Sequence, residues 1–163
     1  MSETRFSSLQ MTALVILRAL IGWHFLYEGV AKLTRGNWSA AGFLLESKWI
    51  FAPVFKWMAQ NESILRVVDA MNIWGLILIG LALILGCLTR TAASAGMLLL
   101  TLYYLSTPPL VGLYYAIPSE GHYLIVNKNL VEIGALFVIA VTRSGQFAGI
   151  DRILGRLTGR SRR

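Results

Sequence analysis

The stretch Arg18-Ala-Leu-Ile-Gly22-Trp23-His24-Phe25-Leu26-Tyr27-Glu28-Gly29-Val30-Ala31-Lys32-Leu33 decides the fold. It closes an apolar run that begins at Met11. That run is long enough for a membrane-spanning helix, which needs about 20 mostly apolar residues. Yet it carries Arg18, His24, Glu28 and Lys32. With Arg18 at zero and about 100° per residue, Gly29 falls at about 20°, Gly22 at about 40°, Phe25 at about 340°, Lys32 at about 320°, Glu28 at about 280° and His24 at about 240°. The polar groups and both glycines share less than half the circumference. Leu14, Val15, Leu26 and Val30 lie on the other side. One face suits lipid. The other is polar, and Gly22 and Gly29 let a neighbouring backbone or a flat ligand come close.

The energetics say that the polar face is used. About ten Leu, Ile, Val and Phe contribute about −5 kcal/mol to insertion, while Arg18 and Glu28 together cost about 5 to 7 kcal/mol at mid-bilayer. Such a helix is marginal alone and needs partners for its charges. Ionisable groups inside a membrane span are functional candidates by default.

Working outward, three more apolar runs follow: Val67 to Leu88, Thr91 to Leu105 and Tyr123 to Thr142. They are too long and too uniformly apolar for barrel strands, which alternate. The expected fold is all-α, an integral membrane four-helix bundle. Residues 11–142 form this domain, residues 1–10 a cytoplasmic N-terminus and residues 143–163 a basic cytoplasmic tail. Composition agrees: 56% of the 163 residues are hydrophobic and 14% charged, against about 25% charged in a soluble domain. Arg5 and the apolar run after it imitate a signal peptide. Arg18, His24 and Glu28 interrupt the run, so it reads as a retained first helix.

The net charge is +7, and the 143–163 tail holds +5 of it through six arginines and Asp151. A general nucleic-acid binder is thereby disfavoured. Positive flanks mark the cytoplasmic side, so both termini are expected there, with the loops Thr34–Arg66 and Ser106–His122 outside. The localisation that follows is the cytoplasmic (inner) membrane of a bacterium or archaeon. The first outer loop is dense in aromatics (Trp38, Phe43, Trp49, Phe51, Phe55, Trp57), which favour the membrane interface. One or two short interfacial helices are expected there, broken near Pro53. The second loop, with Pro108-Pro109, Tyr114-Tyr115 and Pro118, reads as a rigid cover over the bundle mouth.

Alternating chain direction sets the depth of each polar group. His24, Glu28 and Lys32 fall in the outer half of the first span. Asp69 and Asn72 sit at the outer end of the second, three apart on one face. Lys128, Asn129 and Glu132 fall in the outer third of the fourth. Arg18 sits deeper, opposite the third span near Ser94. Trp23, Tyr27, Trp74, Tyr103 and Tyr104 offer flat walls, so a polar, aromatic-lined cavity near the outer surface is expected. A lipid-soluble quinone suits it. His24 and Glu28 are the candidates for proton exchange with the ring. Arg18, Trp23, Tyr27, Lys32, Asp69, Asn72, Lys128 and Glu132 are the binding candidates, with a cation stabilising the anionic, reduced form. The same charges also suit a structural network: Glu28–Lys32 and Lys128–Glu132 pairs within helices, and Asp69 with a cation between them. Other chemistry is poorly provided for. One cysteine, Cys87, excludes an internal disulfide, a thiol pair and an iron–sulfur cluster. The two histidines, His24 and His122, are poorly spaced for haem, and no metal is expected.

The run from Leu17 to Leu33, followed by Asn37-Trp38-Ser39-Ala40, resembles the DoxD/DoxX family. It is similar in particular to the small membrane subunits of thiosulfate:quinone oxidoreductases. Asn72-Ile-Trp74-Gly75 through Gly80 to Leu85-Gly86, and Asn127-Lys128-Asn129-Leu130-Val131-Glu132, fit as well. The resemblance spans Thr12 to Arg143 and leaves out the tail beyond Arg152. It implies a four-helix inner-membrane protein, often paired with a second subunit, and linked to quinone reduction by sulfur compounds. Three functions stay open: a quinone-linked oxidoreductase subunit whose partner sits on the outer face, a non-catalytic scaffold, and a small transporter or proton pathway. The oligomeric state is left open too.

Overall fold

The computed structural model describes residues 6–116, 124–142 and 144–157, and the side chains of these up to Ile153. Eight helices follow one another among them: α1 (Ser8–Thr34), α2 (Ala41–Leu45), α3 (Ala52–Gln60), α4 (Glu62–Leu85), α5 (Thr89–Ser106), α6 (Lys128–Thr142), α7 (Ser144–Phe147) and α8 (Ile150–Leu157). No strand stands among the described residues. His122, and Tyr123 where the fourth span was expected to begin, lie outside them.

The bundle is α1, α4, α5 and α6. α1 packs on α4 and α5 on α6, and the two pairs close through α4–α5 and α1–α6. α1 and α4 are each long and apolar enough to cross a membrane. Arg90 and several small polar residues dilute α5, and α6, at 15 residues, is about 22 Å long. These two complete the bundle by packing. Phe25, Leu83, Ala93, Leu136 and Ile139 fill its centre, each at most 1% exposed. Ile16, Leu20, Met71, Leu78, Leu98, Val131 and Phe137 stand outward. An apolar belt of that extent is what a bilayer covers, and a water-exposed surface does not carry it.

Glycine brings α1 and α4 together. A Cβ on Gly80 would stand 2.5 Å from the Leu26 nitrogen and 2.7 Å from the Gly22 oxygen. One on Gly29 would meet Ile77 Cγ1 at 2.7 Å. The close approach expected at Gly22 and Gly29 is therefore to the backbone of α4.

α1 opens on a reciprocal cap: the Gln10 N–H donates to Ser7 Oγ and the Ser7 N–H to Gln10 Oε1. α4 closes on Gly86, whose φ of 64° is left-handed. There the Cys87 N–H donates to the Ala82 oxygen at 2.9 Å and the Gly86 N–H to Leu83 at 3.2 Å, which satisfies the last carbonyls of the helix. At the far end of the bundle, α2 and α3 form the expected short surface helices. Pro53 starts α3 instead of breaking it, because its fixed φ and missing N–H suit a first helical turn. Phe55 and Leu44 pack with Ala40, Trp38 and Leu105 into a small second core. This end is called the loop end below. The other end, with the start of α1 and α7–α8, is the basic end.

Candidate functional site

Chain direction sorts the polar residues of α1 between the two ends. The buried face of α1 is Arg18, Ile21, Gly22, Phe25 and Gly29, the arc centred on Arg18 in the sequence reading. His24, Glu28 and Lys32 lie on its flank and are half-buried. They project toward α4, α5 and α6 at the loop end.

Two contacts form there. In the first, His24 Nε2 stands 3.5 Å from Glu132 Oε1, joining α1 to α6. The His24 side chain is 33% exposed and that of Glu132 16%, so the pair opens sideways from the bundle. The His24 ring also meets Phe25 edge-on, with centroids 6.3 Å apart. In the second, Lys32 Nζ donates to Asn72 Oδ1 at 2.9 Å and to the Tyr103 hydroxyl at 3.3 Å. The same ammonium lies 4.8 Å from the Trp38 ring and 5.3 Å from that of Tyr103. Two hydrogen bonds and two π faces satisfy this cation. Glu28, one turn from Lys32, feels its charge through space without an ion pair in contact.

The other expected residues fall as follows. The Asp69 carboxylate accepts the Ala40 N–H at 2.7 Å and fastens the start of α2 to α4. Asn72 is buried under Lys32. Lys128 opens α6 and Glu132 lies one turn in. Asn127 caps that helix, accepting the Leu130 N–H at 3.1 Å. Tyr104 donates to the Ile125 oxygen at 2.9 Å.

Several expected positions are corrected. Arg18 lies at the basic end, about 21 Å of helix from Lys32, where its Nη2 donates to the Ala148 oxygen at 2.6 Å. It is 2% exposed and far from the His24 and Lys32 contacts. Ser94 is exposed and does not face it. Trp23 and Tyr27, each 62% exposed, and Trp74 stand on the outer surface, so they do not wall a closed cavity. Tyr27 is about 60° around the helix from His24 and less than one turn along it. An apolar groove of about 300 Å³ between α1 and α6, lined by Phe6, Leu14, Leu17 and Val138, belongs to the basic end. Among the described residues no group of His, Cys, Asp and Glu is placed to hold a metal.

Sequence reasoning missed the Trp38 ring over Lys32. It also missed how tightly the second loop is tied down. The Ala116 N–H donates to Glu46 Oε2 at 3.1 Å, Lys48 Nζ stands 3.5 Å from the same oxygen, and Lys48 also donates to the Tyr114 oxygen. Tyr115 donates to the Pro108 oxygen at 2.9 Å, and partial burial pushes its phenol up. The Ala116 N–H, followed by the charges of Lys48 and Lys56, holds the Glu46 carboxyl below the usual carboxylate range. A carboxyl lowered in the fold stabilises above its unfolded pKa of about 4.3 and loses this as pH falls through the lower folded value. Acidification through that window is expected to abolish exchange protection of the Ala116 amide, and Glu46→Gln to remove its pH dependence. Protection that persists unchanged to the lowest pH at which the bundle stays folded would contradict the clasp.

The DoxX family model matches residues 13–107 of this chain. No curated protein and no solved structure gives a match.

Proposed function

This chain belongs to the DoxX family of membrane proteins, and from that premise we propose that it is the membrane subunit of a quinone-linked oxidoreductase. One observation carries the reading. An imidazole and a carboxylate 3.5 Å apart open to the side of the bundle, and Tyr27, three residues along α1 from His24, stands outward. A ring that travels in the bilayer meets such a site laterally, with no need for a closed cavity. The residues fit it: Tyr27 offers an exposed aromatic face, and His24 and Glu132 offer an imidazole and a carboxyl that can exchange protons.

When bound, a quinone supplies a two-electron, two-proton acceptor. The chain's own part is to hold the ring and to deliver protons. His24 would pass a proton to the ring and be reprotonated by Glu132, whose carboxyl faces Nε2 at 3.5 Å. Glu28, one turn further along α1, extends the polar path toward the loop end. The electrons come from a sulfur oxyanion such as thiosulfate, oxidised at a second subunit seated on the loop end. In this reading the loop end faces outward and the arginine-rich tail the cytoplasm.

The test is quinone reduction by the purified protein, with thiosulfate and then sulfite as donor, with and without its co-purifying partners. Reduction that falls on Glu28→Ala is the expected result. No reduction with either donor, from a folded protein that retains its partners, would overturn the reading.

The scaffold reading is favoured by a different observation: Ile50, Val54 and Trp57 form an exposed apolar stripe at the start and along the outer face of α3. Trp49→Ala with Trp57→Ala would then release the partner, while His24 and Glu28 variants keep full function.

A further inference from the structure

The C-terminal segment is held more firmly than a tail requires. The Asp151 N–H donates to the Gly86 oxygen at 2.8 Å. Its carboxylate accepts the Leu88 N–H at 2.7 Å and the Thr89 N–H at 2.9 Å. It thereby caps α5, whose own N-cap, Leu88, supplies no side-chain acceptor. Arg18 reaches from α1 to the Ala148 oxygen. A Cβ on Gly149 would stand 2.8 Å from Gly86 Cα, so the start of α8 lies directly on the α4–α5 turn.

This anchoring decides what α8 presents. Ile150, Ile153, Leu154 and Leu157 recur at the i, i+3, i+4, i+7 spacing of one helical stripe. Arg152 and Arg156 follow a separate line. Ile153 is 58% exposed, and Arg152 is exposed beside it. The only acid of residues 143–163 is Asp151, and both its oxygens are engaged on α5. With Asp151 so engaged, the exposed Arg152 carries the outward charge of the described residues here, next to Ile153, at the rim of a lipid-covered bundle. A basic amphipathic helix in that position fits an anionic bilayer surface: the stripe enters the acyl boundary and the guanidinium groups meet phosphates. A soluble polyanion would satisfy the arginines and leave Ile153 in water.

We propose that α8 forms an in-plane anchor that binds anionic phospholipid headgroups. Each arginine near a charged leaflet adds to the attraction, and salt screens it. The proposal is independent of the quinone reading, since it uses the opposite end of the bundle.

The test uses the full chain in nanodiscs of phosphatidylcholine alone and of phosphatidylcholine with phosphatidylglycerol, read by hydrogen exchange of residues 150–157. Opening of α8 is expected to slow about tenfold in the anionic discs and to return to the neutral value in high salt. Arg152→Glu with Arg156→Glu is expected to abolish the difference, and Ile153→Ser to reduce it. Exchange in α1 and α4 reports that these variants remain folded. Equal exchange in both discs would overturn the proposal. So would protection that appears only on adding a soluble acidic protein, which would assign the surface to a protein partner.

Discussion

Replacing His24 by alanine is expected to lower quinol formation about 100-fold, the lower range for loss of a positioned acid–base group. His24 joins an open position on the α1 surface to a carboxylate of another helix, at 3.5 Å. Alanine leaves Phe25 and Gly29 on the packed face untouched. Glu132→Gln keeps the shape and removes the proton relay, so it is expected to give a loss of the same order. The double variant should be scarcely worse than either single one, because the two groups act as a unit. Lys32→Met is expected to lower stability more than rate, since Asn72 and the Tyr103 hydroxyl would both lose the Lys32 ammonium. Thermal unfolding beside the rate assay separates the roles. A purely structural His24–Glu132 pair would lower the melting temperature and leave the rate per folded molecule unchanged.

The largest effect on folding is expected at Gly80. Valine there places carbon where the Leu26 nitrogen and Cα and the Gly22 oxygen already stand. All three are backbone atoms, so no rotamer change relieves the clash, and α1 and α4 must separate. Overpacking of this kind costs about 3 kcal/mol or more, and helix association in lipid depends on close backbone approach. Gly80→Val is expected to lower detergent-solubilised yield and melting temperature sharply. Gly42→Val is the control, because nothing lies within 4 Å of a Cβ at Gly42. Equal melting temperatures for the two variants would mean that the α1–α4 seam is not as tight as described.

Much of this was legible because hydropathy and helical period are properties of the chain itself. The 100° period placed Arg18, Gly22, Phe25 and Gly29 on one face of α1, and that face is buried. Alternating span direction puts the polar groups of the first, second and fourth spans at one level, and there His24 meets Glu132 and Lys32 meets Asn72, instead of the expected Glu28–Lys32 contact and an Asp69–cation pair. Direction around a helix proved harder to read than depth along it. Trp23 and Tyr27 share the depth of His24 but point outward, since an aromatic ring is as well placed against lipid as against a ligand. Arg18 reads as a binding candidate set deeper than the outer cluster, because charge alone does not say which group it serves. Its partner, the Ala148 carbonyl, belongs to a segment 130 residues away. The same distance in sequence hid the role of Asp151, which reads as a stray acid in a basic tail and is the cap of α5.

The most direct test of the central claim is to photolabel the full-length protein in bilayers with an azidoquinone and map the adducts by mass spectrometry. Adducts concentrated on residues 23–28 and 128–132, and displaced by unlabelled quinone, are the predicted result. Labelling spread evenly over the apolar belt, or undisturbed by competing quinone, would contradict it and leave the His24–Glu132 pair as a helix-to-helix tie.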